Sequence, residues 1–244
     1  MQHHHRHTIR PGSRGPSKRN LIISIVLNFI ITAAEFVGGI LSNSLALLSD
    51  ALHNLSDTFA IFISYVAIII GEKGSNKKNT FGYKRVEILA ALLNAVVLVV
   101  ISLYLFYEAY QRLMNPEPVK GKTMMIVAVI GLLANLVSVI LLNRDSKSSL
   151  NIKAAFIHLL GDTFSSVGVI LASVLILFYD LYWVDPLLTF IIGVFILRGT
   201  YGILKETVEI LMQASPSDLD INRIKKELET HPKVGNIHHI HVWR

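Results

Sequence analysis

Long apolar runs with few charges set the first pattern. Six stretches qualify: residues 21–41, 45–70, 86–113, 123–142, 150–179 and 187–204. A helix needs about 20 mainly apolar residues to cross the hydrocarbon of a bilayer, so each stretch predicts one crossing. The first carries only Glu35, and the second Asp50 and Asp57. The third keeps Glu87, Glu108 and Arg112 towards its ends, and the fourth carries no charge. The fifth is interrupted by Lys153, His158 and Asp162, and it is long enough for its start to extend beyond the bilayer. The sixth carries Arg198.

Past Gln213 the pattern changes. Ser215-Pro216-Ser217-Asp218 reads as a helix start, residues 218–230 as a short amphipathic helix, and His231-Pro232 as its end. Residues 237–243 alternate and are rich in β-branched side chains, which predicts a strand. A lone terminal strand has nothing to pair with, and a helix plus one strand is too little to bury a core. These residues therefore predict the opening of a small α/β cytosolic domain, cut short or completed by another chain. The expected fold class is membrane all-α with six transmembrane helices, followed by that α/β start. The expected divisions are a cytosolic tail over 1–19, a transport domain over 20–212, and the cytosolic segment over 213–244.

Composition agrees with a membrane protein. The chain is 52% hydrophobic and 16% charged, with mean hydropathy +0.52. A soluble domain carries nearer a quarter charged residues. The net charge of +6 follows from its distribution. Arg6, Arg10, Arg14, Lys18 and Arg19 precede the first span. Lys73, Lys77, Lys78, Lys84 and Arg85 follow the second, and Arg144, Lys147 and Lys153 follow the fourth. The opposite side holds only Arg112, Lys120 and Lys122. Positive residues favour the cytoplasmic side, so both termini are expected there. Tyr179, Tyr182 and Trp183 then fall at the far interface, where aromatic belts sit. No basic stretch interleaves with aromatics, so nucleic acid is not an expected partner. The N-terminal residues are polar and basic with no apolar run, so no cleavable signal peptide is expected. His3, His4, His5 and His7 read as a solvated tail, with metal scavenging as the alternative.

With no cysteine, a metal here must be held by His, carboxylate or backbone oxygen. An ionisable residue inside a span costs on the order of 2.5 to 3.5 kcal/mol, so it must be paired, hydrated or functional. Two spans carry the same pair at the same spacing, His53 with Asp57 and His158 with Asp162. Positions i and i+4 share a helix face, about 6 Å apart along the axis. One pair supplies half a coordination sphere, and two facing pairs supply two imidazole nitrogens and two carboxylates. That set suits tetrahedral Zn²⁺, with Co²⁺ or Cd²⁺ as alternatives. Calcium and magnesium prefer all-oxygen shells, and copper(I) prefers sulfur. The bland reading, an interhelical hydrogen-bonded pair, fits one copy better than two matched copies on helices of opposite direction. A ligating His must be neutral, so metal binding releases protons, and a free pKa near 6.5 suits proton-for-metal exchange.

Other residues have quieter readings. Asp50, three residues before His53, is a relay candidate but reads better as a hydrated or hydrogen-bonded structural acid, and Glu35 is similar. Asn28 and Asn135 read as interhelical hydrogen-bond formers, and Gly38-Gly39 as a close helix contact. His239 and His241 share a strand face, with His238 on the other. With His231 nearby, His238, His239 and His241 are a candidate secondary cytosolic metal site, against a plain polar strand surface.

Several motifs together resemble the cation diffusion facilitators, the zinc-transporter family. Ser44-Leu45-Ala46-Leu47-Leu48-Ser49-Asp50-Ala51-Leu52-His53, closing at Asp57, resembles that family's second helix. Phe81-Gly82-Tyr83-Lys84-Arg85-Val86-Glu87-Ile88-Leu89-Ala90 resembles the start of its third. Gly131-Leu132-Leu133-Ala134-Asn135-Leu136 resembles its fourth helix, His158-Leu159-Leu160-Gly161-Asp162 its fifth, and Val184-Asp185-Pro186 the approach to its sixth. His238-His239-Ile240-His241-Val242-Trp243 resembles the first strand of its cytosolic domain. The resemblance runs from about residue 20 to the end. It implies a bacterial-type, homodimeric proton antiporter of the inner membrane that exports cytosolic zinc by alternating access. It implies that His53, Asp57, His158 and Asp162 form the transport site, and that the cytosolic domain is ferredoxin-like with only its first part present. Two features depart from relatives. Residues 71–84 hold no His or Asp for a second metal, and residues 143–149 are short and lack His.

The chief rival is an intramembrane zinc hydrolase. Catalytic zinc keeps an open position and a separate base, whereas two matched pairs leave none open, and no HExxH occurs. A metal sensor or a channel is the third reading, and a channel needs no tight tetrahedral site. The predicted topology is checked by cysteine labelling, since the chain has no native thiol. In intact cells an impermeant maleimide is expected to label Glu117→Cys and spare Ser75→Cys, and the reverse result would invert the orientation.

Overall fold

The computed structural model describes residues 18–80, 82–143, 150–216, 219–232 and 234–243. His3, His4, His5 and His7, and also Arg144, Lys147 and Asp218, lie outside the described residues. Among the described residues seven helices follow in order: α1 (Lys18–Ser42), α2 (Leu45–Gly71), α3 (Arg85–Met114), α4 (Gly121–Asn143), α5 (Leu150–Tyr179), α6 (Val184–Leu211) and α7 (Ile221–Glu229). The first six are long and apolar enough to cross a membrane, as expected. α5 and α6, at 30 and 28 residues, run to about 45 and 42 Å, well beyond the roughly 30 Å of hydrocarbon.

Local chemistry fixes the helix ends. α1 stops because Asn43 takes a left-handed φ of 59°. Its N–H donates to the Ile40 carbonyl, and that of Ser44 to the Gly39 carbonyl at 3.0 Å. This is a Schellman closure with asparagine where glycine is commonest. α6 closes in the same way at Gln213 (φ 58°), with Gln213 N donating to Ile210 O and Ala214 N to Glu209 O. α6 begins at Val184, a turn earlier than the expected 187, because Pro186 falls in the first turn, where no N–H is needed.

The chain forms two compact units. One comprises the described residues of Met1–Thr58 and Ile101–Phe195, the other those of Phe59–Val100 and Ile196–Arg244. In the first, α4 packs against α1 and α5. Its buried face reads Gly121, Met124, Ala128, Gly131, Asn135, Ser138 and Leu142. The steps alternate between three and four, and most of the residues are small, so neighbouring backbones approach closely. A Cβ on Gly121 would meet Ile176 and the Leu177 backbone of α5 within 3.2 Å. One on Gly38 would lie 2.6 Å from Val127 of α4, which is the close contact expected of Gly38-Gly39. On α6, Gly193 lets the Phe106 ring of α3 lie against the backbone and stack on Phe190 at 5.1 Å. The outward faces are apolar, with Phe164, Phe178 and Phe195 at 77%, 70% and 72% exposure, as helices facing lipid require.

The start of α2 is held from α6. The Asp185 carboxylate accepts from the Ser44 hydroxyl at 2.5 Å, the Leu45 N–H at 2.7 Å and the Ala46 N–H at 3.3 Å. The Ser44 Oγ accepts in turn from the Leu47 N–H. The first N–H groups of a helix have no partner within it, and a negative charge there opposes the positive end of the dipole. Asp185 is fully buried, so this capping replaces the water it lost. Beside it, Arg112 of α3 donates to the Asn43 carbonyl at 2.7 Å and to Asn43 Oδ1 at 3.0 Å.

Several expectations need correction. The last short helix is α7, capped by Asp220 rather than started at residue 218. Asp220 accepts from the Asn222 and Arg223 N–H groups at 2.9 and 3.2 Å. No strand forms among described residues 234–243. A ladder needs a second strand, and His239 adopts a φ of 56°, which breaks an extended run. The α/β start is therefore a helix followed by irregular chain. Both amide atoms of Asn135, and Asn28 Oδ1, are buried without a hydrogen-bond partner among the described residues, so Asn135 does not show the expected interhelical bond.

Asp185→Ala is expected to lower the thermal unfolding midpoint of the purified protein, since loss of a cap costs about 0.5–2 kcal/mol and here three donors are orphaned at once. Ser44→Ala should cost less. Equal midpoints for Asp185→Ala and the parent would mean that the cap contributes nothing.

Candidate metal centre

His53 and Asp57 stand one turn apart on α2, and His158 and Asp162 one turn apart on α5. The structure brings all four together. His53 Nε2 is 3.7 Å from Asp57 Oδ2, and His158 Nε2 is 3.6 Å from Asp162 Oδ2. Across the helices, His158 Nε2 is 3.3 Å from Asp57 Oδ2. The imidazole rings are edge to face with centroids 5.8 Å apart. One ligand atom each from His53, His158 and Asp162 falls within a span of 4.8 Å. Asp57 Oδ2 contacts both histidines but is not part of that three-residue group.

These distances have a chemical meaning. Ligand atoms about 2 Å from a tetrahedral zinc stand about 3.3 Å from one another. The three nitrogen–oxygen separations, 3.3 to 3.7 Å, need only a slight contraction to reach that spacing. The two aspartates would offset the double charge of the ion, which matters where the surroundings screen weakly.

Accessibility is uneven. The side chain of Asp162 is 5% exposed, while His53, Asp57 and His158 keep 27%, 35% and 36%. The cluster is thus closed on the Asp162 side and reachable on the other. His53 Nδ1 has no hydrogen-bond partner among the described residues, which leaves that ring less firmly oriented than a ligand His whose second nitrogen is bonded.

Around the cluster lie polar residues that sequence reasoning treated as quiet. Asp50 is 3% exposed and accepts from Ser165 Oγ of α5 at 2.9 Å, so it is a buried, hydrogen-bonded acid. Asn54, beside His53 in the chain, donates to Glu35 Oε2 of α1 at 3.4 Å. No sequence signal singled out Asn54, whose importance comes only from what α1 places opposite it.

The C-terminal histidines arrange differently from the expectation. His238 and His239 do not face opposite ways. Their Nδ1 atoms are 2.7 Å apart and their rings meet edge to face, because the left-handed turn at His239 brings them to one side. His241 takes no part in this contact.

Comparison with known proteins follows the same lines. Residues 21–212 match the cation efflux transmembrane domain. The chain is 40% identical over 233 residues to the cadmium, cobalt and zinc/H(+)-K(+) antiporter of Bacillus subtilis, covering 95% of this chain and 75% of that one. It is 40% identical over 246 residues to zinc transporter ZitB of Pectobacterium atrosepticum, covering 100% and 75%. To the metal cation efflux system protein CzcD of Cupriavidus metallidurans it is 40% identical over 229 residues, covering 94% and 72%. A domain match across all six spans and similarity along nearly the whole chain do not depend on any single motif, and by both measures the chain belongs to the cation efflux family, the cation diffusion facilitators.

Proposed function

We propose that this protein exchanges cytosolic Zn²⁺ for protons, with His53, Asp57, His158 and Asp162 holding the ion in transit. The observation that carries this reading is the meeting of two His–Asp pairs from α2 and α5 at near-zinc ligand spacing. Similarity to relatives named as zinc transporters and as a cadmium, cobalt and zinc antiporter supports Zn²⁺ as cargo, with Co²⁺ and Cd²⁺ as further substrates. As a member of the cation efflux family the chain is a multi-pass membrane transporter and not an enzyme, which sets aside the intramembrane hydrolase.

The chemistry of exchange follows from the donor set. Each imidazole must be neutral and each carboxylate ionised to bind the metal. When the site opens to a compartment of lower pH, protons compete for the same atoms and the ion leaves. When it faces the cytosol, metal displaces those protons. We assign both termini to the cytoplasm, the transport domain to residues 20–212 and a bacterial inner membrane to the whole, on the distribution of Lys and Arg and the source of the relatives. A homodimer is the proposed assembly. His238 and His239, with His241, are the proposed second zinc site on the cytosolic segment following residue 212.

Proteoliposomes acidic inside test the exchange. Zinc uptake by the parent should require the gradient, and Asp57→Ala and Asp162→Ala should abolish it. Both variants should also bind zinc more weakly by about 10- to 100-fold or more, since even residues behind a ligand contribute that much. Zinc affinity of the parent should fall as the pH is lowered, because protons compete for the same nitrogen and oxygen atoms. Uptake that persists without a gradient would overturn antiport in favour of a channel, and unchanged uptake by both variants would remove the site assignment.

A further inference from the structure

The polar contacts between α1 and α2 leave one carboxylate without a countercharge. Glu35 is 1% exposed. Its Oε2 accepts one long hydrogen bond, 3.4 Å, from Asn54 Nδ2. Its Oε1 lies over Gly131 of α4, 2.8 Å from where a Cβ would stand, and Ser166 Oγ of α5 is 3.8 Å from the same point. Among the described residues no Lys, Arg or His stands at ion-pair distance from it. The ionisable groups that face it are Asp50 of α2 and Asp162 of α5, buried acids of its own sign. α4 and α1 face it with uncharged Gly131 and Ile31.

A second observation concerns the partner. Asn54 is 1% exposed, and its Oδ1 finds no donor among the described residues. The buried Ser166 Oγ beside the carboxylate is also unpartnered. The amide that touches Glu35 thus offers a donor in use and an acceptor standing idle. An ionised carboxylate held by one weak donor, with two like charges facing it and no cation, is expensive in a membrane interior. A metal or alkali ion would need about six oxygens, and Oε1 already occupies the space over Gly131. A proton needs one acceptor, and Asn54 Oδ1 supplies it.

We propose that Glu35 is a proton-binding site of the transport cycle, distinct from the four-residue metal site and joined to it through Asn54, the neighbour of His53. This rests on the antiport reading. The ionised carboxylate accepts from Asn54 Nδ2. The protonated one donates its O–H to Asn54 Oδ1 after the amide turns over. The single bond made or broken is O–H at Glu35, and the proton comes from water and returns to it. Because Asn54 and His53 are consecutive on α2, a shift of that helix on metal binding changes the partner that Glu35 sees.

Infrared difference spectra of the full chain in lipid nanodiscs, titrated with pH, read protonated carboxyl groups directly. The expected result is a protonated-carboxyl band at neutral pH that Glu35→Gln removes, that Asn54→Leu shifts in frequency, and that shrinks when zinc is added. In acid-loaded proteoliposomes Glu35→Gln should lower the proton count per zinc by about one. Unaltered elution on size exclusion, with zinc still bound, shows that each variant is folded, and Asn54→Leu serves if Glu35→Gln is not. Superimposable spectra of the parent and Glu35→Gln would overturn the proposal, as would loss of the band on adding K⁺ or Na⁺ without zinc. If the parent shows no proton-driven uptake, antiport fails while the Glu35 band still reports on Glu35.

Discussion

Hydrocarbon solvates neither an ionised side chain nor an unpaired peptide group, and most of the architecture answers to that constraint. Peptide groups are satisfied within six long helices. Those left over at helix ends are met by specific partners. Asp185 accepts from the first N–H groups of α2, and Arg112 meets the Asn43 carbonyl beyond the end of α1. Charged side chains obey the same rule. Asp57 and Asp162 of the candidate metal centre lie against imidazoles, and Asp50 takes a hydroxyl from Ser165. Glu35 has a single long amide bond and, among the described residues, no cation at ion-pair distance, which is why it draws attention.

The same constraint explains why the centre is built from matched pairs. A carboxylate placed alone in a span has only its own helix to lean on. A histidine one turn away supplies an uncharged partner that becomes a cation on protonation, so each pair is tolerable without metal. When two such pairs face one another, two imidazoles and two carboxylates come close together, which is the donor set a zinc ion would take. The features that make such pairs tolerable in lipid are therefore also those that would suit them as ligands. Close packing also brings α4 against its neighbours, at Gly131 under Glu35 of α1 and at Gly121 against α5.

The spans were readable because long apolar runs have few alternatives, and the His–Asp pairs because identical spacing on two helices is improbable by chance. Elements that depend on partners far along the chain were not readable. Asp185 looked like part of a helix start, and nothing nearby indicated that it would cap a helix some 140 residues earlier. Asn54 gained its role only from α1. The terminal strand was predicted from alternation, a local signal, but a ladder is a property of two strands, and one positive φ at His239 was enough to turn the chain aside. Asn135 shows the opposite failure. A polar residue on a packed face suggested a bond, and among the described residues no donor or acceptor comes within reach of its amide.

The cap on α2 also limits how that helix can travel. Sliding along its axis would break the Asp185 bonds to Ser44, Leu45 and Ala46 together, whereas tilting about that point keeps them. α2 is in this sense a lever with its fulcrum at its first turn. His53, eight residues on, is about 12 Å from the fulcrum, so a tilt of about 10° would carry it about 2 Å. A displacement of that size is enough to open or close a coordination sphere whose bonds are themselves about 2 Å long.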